Sequence, residues 1–160
     1  MHLGFYEQPC WKIDWITSGR FFAKAITHFM PPGAILYLES YDNDELFRSF
    51  VAGHRCPESE KEAIFEPASV PPVWTEHLTF GPPLLDSMEK FYGAWNYNYA
   101  HHVHGYLRGK LIFWFHDAFI GGELLISPEV SEENVRAFCA DMAPKYEFLK
   151  TWPPETDKEV

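Results

Sequence analysis

Two stretches in the first third of the chain place apolar residues at helical spacing behind a residue that can cap a helix. Ser18 can cap a helix over residues 19–30, because one face of that helix would carry five apolar side chains: Phe21, Phe22, Ala25, Ile26 and Phe29. Asp42 can cap a second helix, with Gly53 past its end. The buried stripe of the second helix is predicted to be Leu46, Phe47, Phe50 and Val51.

Two more helices are predicted later in the chain. One covers residues 84–92 and stops at Gly93. The other begins after Ser131, a favourable N-cap residue, and continues to about Met142. Between the second and third helices, residues 54–83 contain six of the thirteen prolines, which predicts a long irregular connection.

Short apolar runs bounded by turn residues predict strands at residues 34–40 and 123–127. A hairpin is predicted around Arg108-Gly109, since glycine supplies the positive φ that a tight turn requires. The simplest register of this hairpin makes three pairs: Leu107 with Lys110, Val103 with Trp114, and His101 with His116.

Taken in order, these elements predict an α+β fold. We expect an antiparallel sheet that contains a meander in the C-terminal half, with three to four helices packed mainly on one face. Residues 1–150 are predicted to form a single domain, and residues 151–160 a flexible C-terminal tail. The second face of the sheet is then available for a functional site.

Charge and composition exclude several classes of function. The chain has 23 acidic and 13 basic residues, and its net charge of −10 repels nucleic-acid phosphate and anionic lipid while attracting basic partners. No apolar run approaches the roughly 18 residues of a membrane span, and the first residues lack the pattern of a secretory signal. The three cysteines have no disulfide or metal-site spacing. We therefore expect a cytoplasmic protein that binds neither nucleic acid nor membrane.

Four of the eight histidines fall within residues 101–116. A zinc site needs three or four ligands that converge on one point. His101 and His116 are close enough in the predicted register to share a metal if a third ligand came from elsewhere. The other interpretation is structural, with half-buried imidazoles whose nitrogens bond to backbone or water. We expect no cofactor, and the alternative is a metal at His101 and His116.

The stretch Glu76-His-Leu-Thr-Phe80 resembles one half of the signature of the 2H phosphoesterases, which use two His-x-Thr/Ser motifs flanked by apolar residues. The resemblance implies a general acid or base at His77 and a phosphate-binding hydroxyl at Thr79. It covers four residues, and the chain departs from the family pattern because its other histidines offer no second motif with Ser or Thr in the hydroxyl position. A hydrolase of this kind would combine His77 and Thr79 with His101 and His116.

The leading hypothesis is a small acidic protein-binding domain, similar in its properties to bacterial immunity and inhibitor proteins, that engages a basic partner protein. It rests on the net charge, the 18% aromatic content and the lack of a complete catalytic set. The predicted partner-binding residues are acidic or aromatic: Glu58, Glu60, Glu62, Trp74, Trp95, Tyr97 and Tyr99. The alternative function is the small hydrolase, either phosphoesterase-like or metal-assisted.

Overall fold

The computed structural model describes residues 8–14, 18–60, 74–96, 98–116 and 123–150, so the predicted tail lies outside the described residues. Within these ranges the helices are α1 (Gly19–Phe29), α2 (Glu45–Ala52), α3 (Pro82–Lys90) and α4 (Glu132–Met142). The strands are β1 (Cys10–Ile13), β2 (Ile35–Ser40), β3 (Trp74–Thr79), β4 (His102–Leu107), β5 (Lys110–His116), β6 (Glu123–Ile126) and β7 (Tyr146–Leu149). The seven strands form one antiparallel sheet.

The predicted caps explain where α1 and α4 begin. Ser18 Oγ accepts a hydrogen bond from the backbone N–H of Phe21 at 3.0 Å. Ser131 Oγ accepts one from the backbone N–H of Asn134 at 3.2 Å. Each bond satisfies a backbone donor that the first turn of a helix leaves without an internal partner. Both helices are therefore confirmed.

Helix α2 starts later than predicted, because Asp44 rather than Asp42 is its N-cap. The Asp44 carboxylate accepts a hydrogen bond from the backbone N–H of Phe47 at 2.9 Å. Phe47, Phe50 and Val51 are buried as predicted, whereas Leu46 is 54% exposed. Leu46 lies about a quarter-turn around the helix from that stripe, so its assignment to the core was wrong.

The connection predicted over residues 54–83 is more regular than expected. It contains the strand β3, and α3 begins at its end with two prolines. Proline fits the first turn of a helix, since its missing N–H would have no partner there. Strands β1 and β7, of four residues each, were also not predicted.

The strand order is β3-β2-β4-β5-β6-β1-β7. The predicted meander is confirmed, because β4, β5 and β6 are consecutive in both the chain and the sheet. All four helices pack on one face, where side chains such as Phe22, Phe47, Leu84 and Phe138 share a single hydrophobic core with strand residues such as Leu38. The α+β architecture with helices on one face is therefore as predicted. None of the helices in the described ranges is long and apolar enough to cross a membrane.

The β4–β5 hairpin turns at Arg108-Gly109, as predicted. Both turn residues have positive φ, 49° for Arg108 and 78° for Gly109, and Leu107 pairs with Lys110. This is the backbone geometry that suits the right-handed twist of the flanking strands.

Farther along the hairpin the predicted register is wrong. A β-bulge lies between Gly105 and Tyr106, so Val103 pairs with Phe115 instead of Trp114. Because the bulge inserts one residue into β5, it shifts every later pair by one position. The predicted pairing of His101 with His116 is lost by the same shift.

Candidate functional site

The sheet face turned away from the helices carries polar and aromatic side chains. Since side chains alternate between faces along a strand, residues between core positions lie on this second face. We call this set the polar face: Tyr37, Glu39, His77, His102, His104, Tyr106 and Trp114. All of them except His77 are more than nine-tenths buried.

A tyrosine and a carboxylate form the centre of the polar face. The Tyr37 hydroxyl donates a hydrogen bond to Glu39 Oε1 at 2.8 Å, and both side chains are almost fully buried. Burial, and secondarily the adjacent Glu39 carboxylate, raise the pKa of the Tyr37 phenol above its ordinary value. Tyr37 therefore remains a hydrogen-bond donor across the physiological pH range.

The ring of Tyr37 lies between two imidazoles from the neighbouring strands. The ring centroid of His104 is 5.3 Å away in a stacked arrangement, and that of His77 is 5.1 Å away in a T-shaped arrangement. Trp114 packs its ring against His104 at 5.5 Å, and Tyr106 packs against His77 at 6.3 Å. These spacings are typical of aromatic pairs and form one continuous row across four strands.

His101 and His102 are neighbouring imidazoles at the N-terminal end of β4. His101 Nε2 is 3.2 Å from the Tyr41 hydroxyl, and the ring centroids of His101 and His102 are 4.1 Å apart. His101 is 5% exposed. His101 is therefore more deeply buried than the half-buried imidazole of the structural interpretation, and its Nε2 contact is to a side-chain hydroxyl rather than to backbone or water.

An open cavity of about 580 Å³ lies at the other end of the polar face. Its wall includes Ile35, Thr79 and Tyr106, which meet because Ile35 pairs with Thr79 on one side and with Tyr106 on the other. Arg108 reaches the cavity from the hairpin turn. Ser59 and Glu60 reach it from a short 3-10 turn. We call this the Arg108 cavity.

The candidate catalytic residues are only partly brought together. His77 and Thr79 share one face of β3, and Thr79 lines the Arg108 cavity. His77 contacts Tyr37 and Tyr106, whereas His101 contacts a separate set of residues near the other end of β4. The side chain of His116 lies outside the described residues.

Metal ligands do not converge in the described part of the chain. No group of three or more His, Cys, Asp or Glu side chains there could hold a metal ion. The three cysteines are buried and form no disulfide with one another. Of the two histidines suggested as metal ligands, His101 is directed to Tyr41.

The predicted partner-binding residues fall into three groups. Glu58, Glu60 and Trp74 are exposed, with Trp74 53% exposed. Glu62 and Tyr97 lie outside the described residues. Trp95 and Tyr99 are 6% and 8% exposed, so their assignment as surface anchors is corrected. The reason is packing, since the core surrounds Trp95 with Phe22, Phe50 and Phe91.

Sequence reasoning missed most of the polar face. The alternation in residues 34–40 placed Tyr37 and Glu39 together on one side, and this signal could have marked them as a pair. The sequence contains no such signal for the Arg108 cavity, because the wall of the cavity comes from segments that are distant along the chain.

Comparison with protein-family models, with curated proteins and with solved structures finds no match for this chain.

Proposed function

We propose that this protein binds a basic partner protein through an acidic surface anchored by Trp74. The surface consists of Trp74 and the residues that follow the adjacent end of β2: Asp42, Asp44, Glu45 and Leu46. We call it the Trp74 surface. The observation that carries the proposal is the exposure of Trp74, which pairs with Ser40 just before the acidic residues Asp42, Asp44 and Glu45 in the chain.

Trp74 is the first residue of β3, an edge strand, and it pairs with Ser40 at the end of β2. Among the described residues three large hydrophobic side chains are exposed, namely Leu46, Trp74 and Phe148. Leu46 belongs to α2, which follows β2 in the chain, and Trp74 belongs to β3, which pairs with β2. Exposed tryptophan is enriched among the residues that dominate binding energy at protein interfaces.

The Trp74 surface is rich in carboxylates. Three carboxylates lie within four positions of each other, at Asp42, Asp44 and Glu45. The hydrogen bond from the Tyr99 hydroxyl, together with the N-cap bond from Phe47, lowers the pKa of Asp44. The Asp44 carboxylate is therefore charged at neutral pH. The net charge of the whole chain is −10. Such a field favours encounter with a basic partner.

Affinity capture from the source lysate, followed by titration with the purified partner, tests the proposal. We expect a basic protein whose affinity falls as salt rises. Trp74→Ala should weaken binding by about tenfold or more, as at other interface tryptophans. Phe148→Ala is the matched control, because it removes an exposed aromatic side chain from the opposite edge strand. Equal losses in the two variants, or an acidic partner, would contradict the proposal.

A small phosphoesterase-like hydrolase is the second candidate function. The observation that favours it is the presence of Thr79 in the wall of the Arg108 cavity, with His77 on the same face of β3. Hydrolysis of bis(p-nitrophenyl) phosphate tests this candidate. The activity should be lost in His77→Ala and retained in His28→Ala, which alters a histidine bonded to α4 on the helical side. Full activity in His77→Ala would exclude this mechanism.

A further inference from the structure

We propose that the Arg108 cavity binds a small zwitterion of the amino-acid type. The carboxylate of the ligand bonds to the Arg108 guanidinium, and its ammonium group bonds to the Glu60 carboxylate. This site is separate from the Trp74 surface and does not depend on it.

The volume and the lining of the cavity suit a small molecule. Its volume of about 580 Å³ falls within the roughly 300–1,000 Å³ of small-molecule sites. Ile35 and Tyr106 are buried and give it an apolar floor, while Thr79, Ser59 and both charged residues are exposed around it. An apolar floor with a few polar groups at the rim is the usual composition of a ligand site.

The two charges in the cavity define the class of ligand. Among the described residues neither Arg108 nor Glu60 has an ion-pair partner, whereas the neighbouring Lys110 pairs with Glu129 at 3.3 Å. A guanidinium can hold a carboxylate through two parallel hydrogen bonds. Glu60 would repel a phosphate or a simple carboxylate, and Arg108 would repel a simple amine. A ligand that carries both charges matches both residues.

The backbone of Arg108 gives an independent argument. Arg108 has a φ of 49°, in the left-handed region that non-glycine residues rarely adopt. Asn or Gly is the usual residue at this position of a two-residue hairpin turn. A non-glycine residue in this conformation, at the wall of a cavity, is consistent with a functional role for its side chain.

The two hydroxyls in the wall add selectivity. Thr79 and Ser59 can each donate and accept a hydrogen bond, and they come from the strand and the 3-10 turn that flank the cavity. They are therefore suited to orient the ligand between Arg108 and Glu60.

Saturation-transfer NMR with each of the twenty standard L-amino acids, added singly, tests the proposal. We expect at least one to bind. For the best binder, the N-acetyl derivative and the carboxamide each remove one charge, and each should bind about tenfold more weakly because one charge-assisted contact is lost.

Two variants assign the contacts. Arg108→Asn should abolish binding while raising the melting temperature, because Asn suits the turn better, and this combination separates loss of the site from loss of the fold. Glu60→Gln should weaken binding of the amino acid and strengthen binding of its N-acetyl derivative, whose lone carboxylate is no longer repelled by Glu60. The controls are Lys110→Gln and Glu58→Gln, which alter neighbouring charges outside the cavity wall.

Three results would overturn the proposal. The first is the absence of binding by every amino acid at about 10 mM, a concentration at which even very weak sites are occupied. The second is equal binding of the parent amino acid and its two derivatives. The third is tighter binding of inorganic phosphate than of any amino acid, which would point to the hydrolase instead.

Discussion

The ring of Phe113 occupies the space that a side chain at position 105 would need. A Cβ on Gly105 would lie 2.8 Å from Cδ1 of Phe113 and 2.5 Å from the sulfur of Met30. Phe113 of β5 therefore packs against the backbone of Gly105 in β4, at the point where the β-bulge begins. The register that the bulge sets places His104 opposite Trp114, so both side chains lie on the polar face.

Gly105→Ala should destabilise the protein by about 1–3 kcal/mol, because the added methyl group forces the core to move. Urea unfolding measures the loss. Gly53→Ala is the control, since nothing lies within 4 Å of a Cβ at that position and its φ is negative. A Gly105→Ala variant as stable as Gly53→Ala would show that Phe113 and Met30 can move aside at little cost.

Phe50→Ala and Phe138→Ala should each destabilise by about 3–5 kcal/mol, because each truncation leaves a large cavity in the core. Phe50 packs against Phe91 and Trp95, and Phe138 packs against residues of α1. The same urea experiment on Phe148→Ala, whose side chain is 40% exposed, should show a much smaller change. A loss below about 1 kcal/mol at either core position would be incompatible with its burial.

Tyr37→Phe should cost about 1–3 kcal/mol, because it removes a hydrogen bond to the buried Glu39 carboxylate. A double-mutant cycle with Glu39→Ala, which removes the acceptor, isolates that bond from the other contacts of each residue. We expect a coupling free energy of about 0.5 kcal/mol or more. Strictly additive losses would mean that the Tyr37–Glu39 bond adds nothing to stability.

Stability should fall as the pH drops below about 6.5, and His54 should account for part of the fall. Burial lowers the pKa of His54, whose Nε2 lies 2.7 Å from Ser87 Oγ. The unfolded chain therefore binds a proton at this residue more readily, so stability is full above pH 6.5 and is lost as the pH falls through the folded pKa.

Urea melts of wild type and His54→Gln over that pH range check this prediction. The two proteins should show parallel profiles above neutral pH. Below it the wild type should lose more stability than the variant. A variant with the same acid dependence as the wild type would assign the effect to other groups.

The helices and the central hairpin could be predicted because their signals are local. Ser18, Ser131 and the Arg108-Gly109 turn each act within a few residues of themselves. The last two strands of the sheet order, β1 and β7, were missed for the opposite reason. Strands β1 and β7 are four residues long and acquire their strand conformation only by pairing with each other and with β6.

The site was harder to predict than the fold. Trp95 and Tyr99 were expected on the surface, but the core of the helical side has room for both. The register of the polar face depends on the β-bulge between Gly105 and Tyr106, which no local pattern reveals. No local pattern predicts the Arg108 cavity either, because its charged residues, Arg108 and Glu60, come from two separate turns.

The position of β1 between β6 and β7 sets the order in which the sheet can be assembled. The indole N–H of Trp11 donates to the carbonyl of Val130, 119 positions along the chain, at 2.8 Å. Contacts between residues so far apart require the closure of a long loop before they contribute any stability, and they slow folding. Among the described strands β1 pairs with β6 and β7, which both come from the far end of the chain. During synthesis β1 therefore cannot complete its place in the sheet until β6 and β7 have left the ribosome.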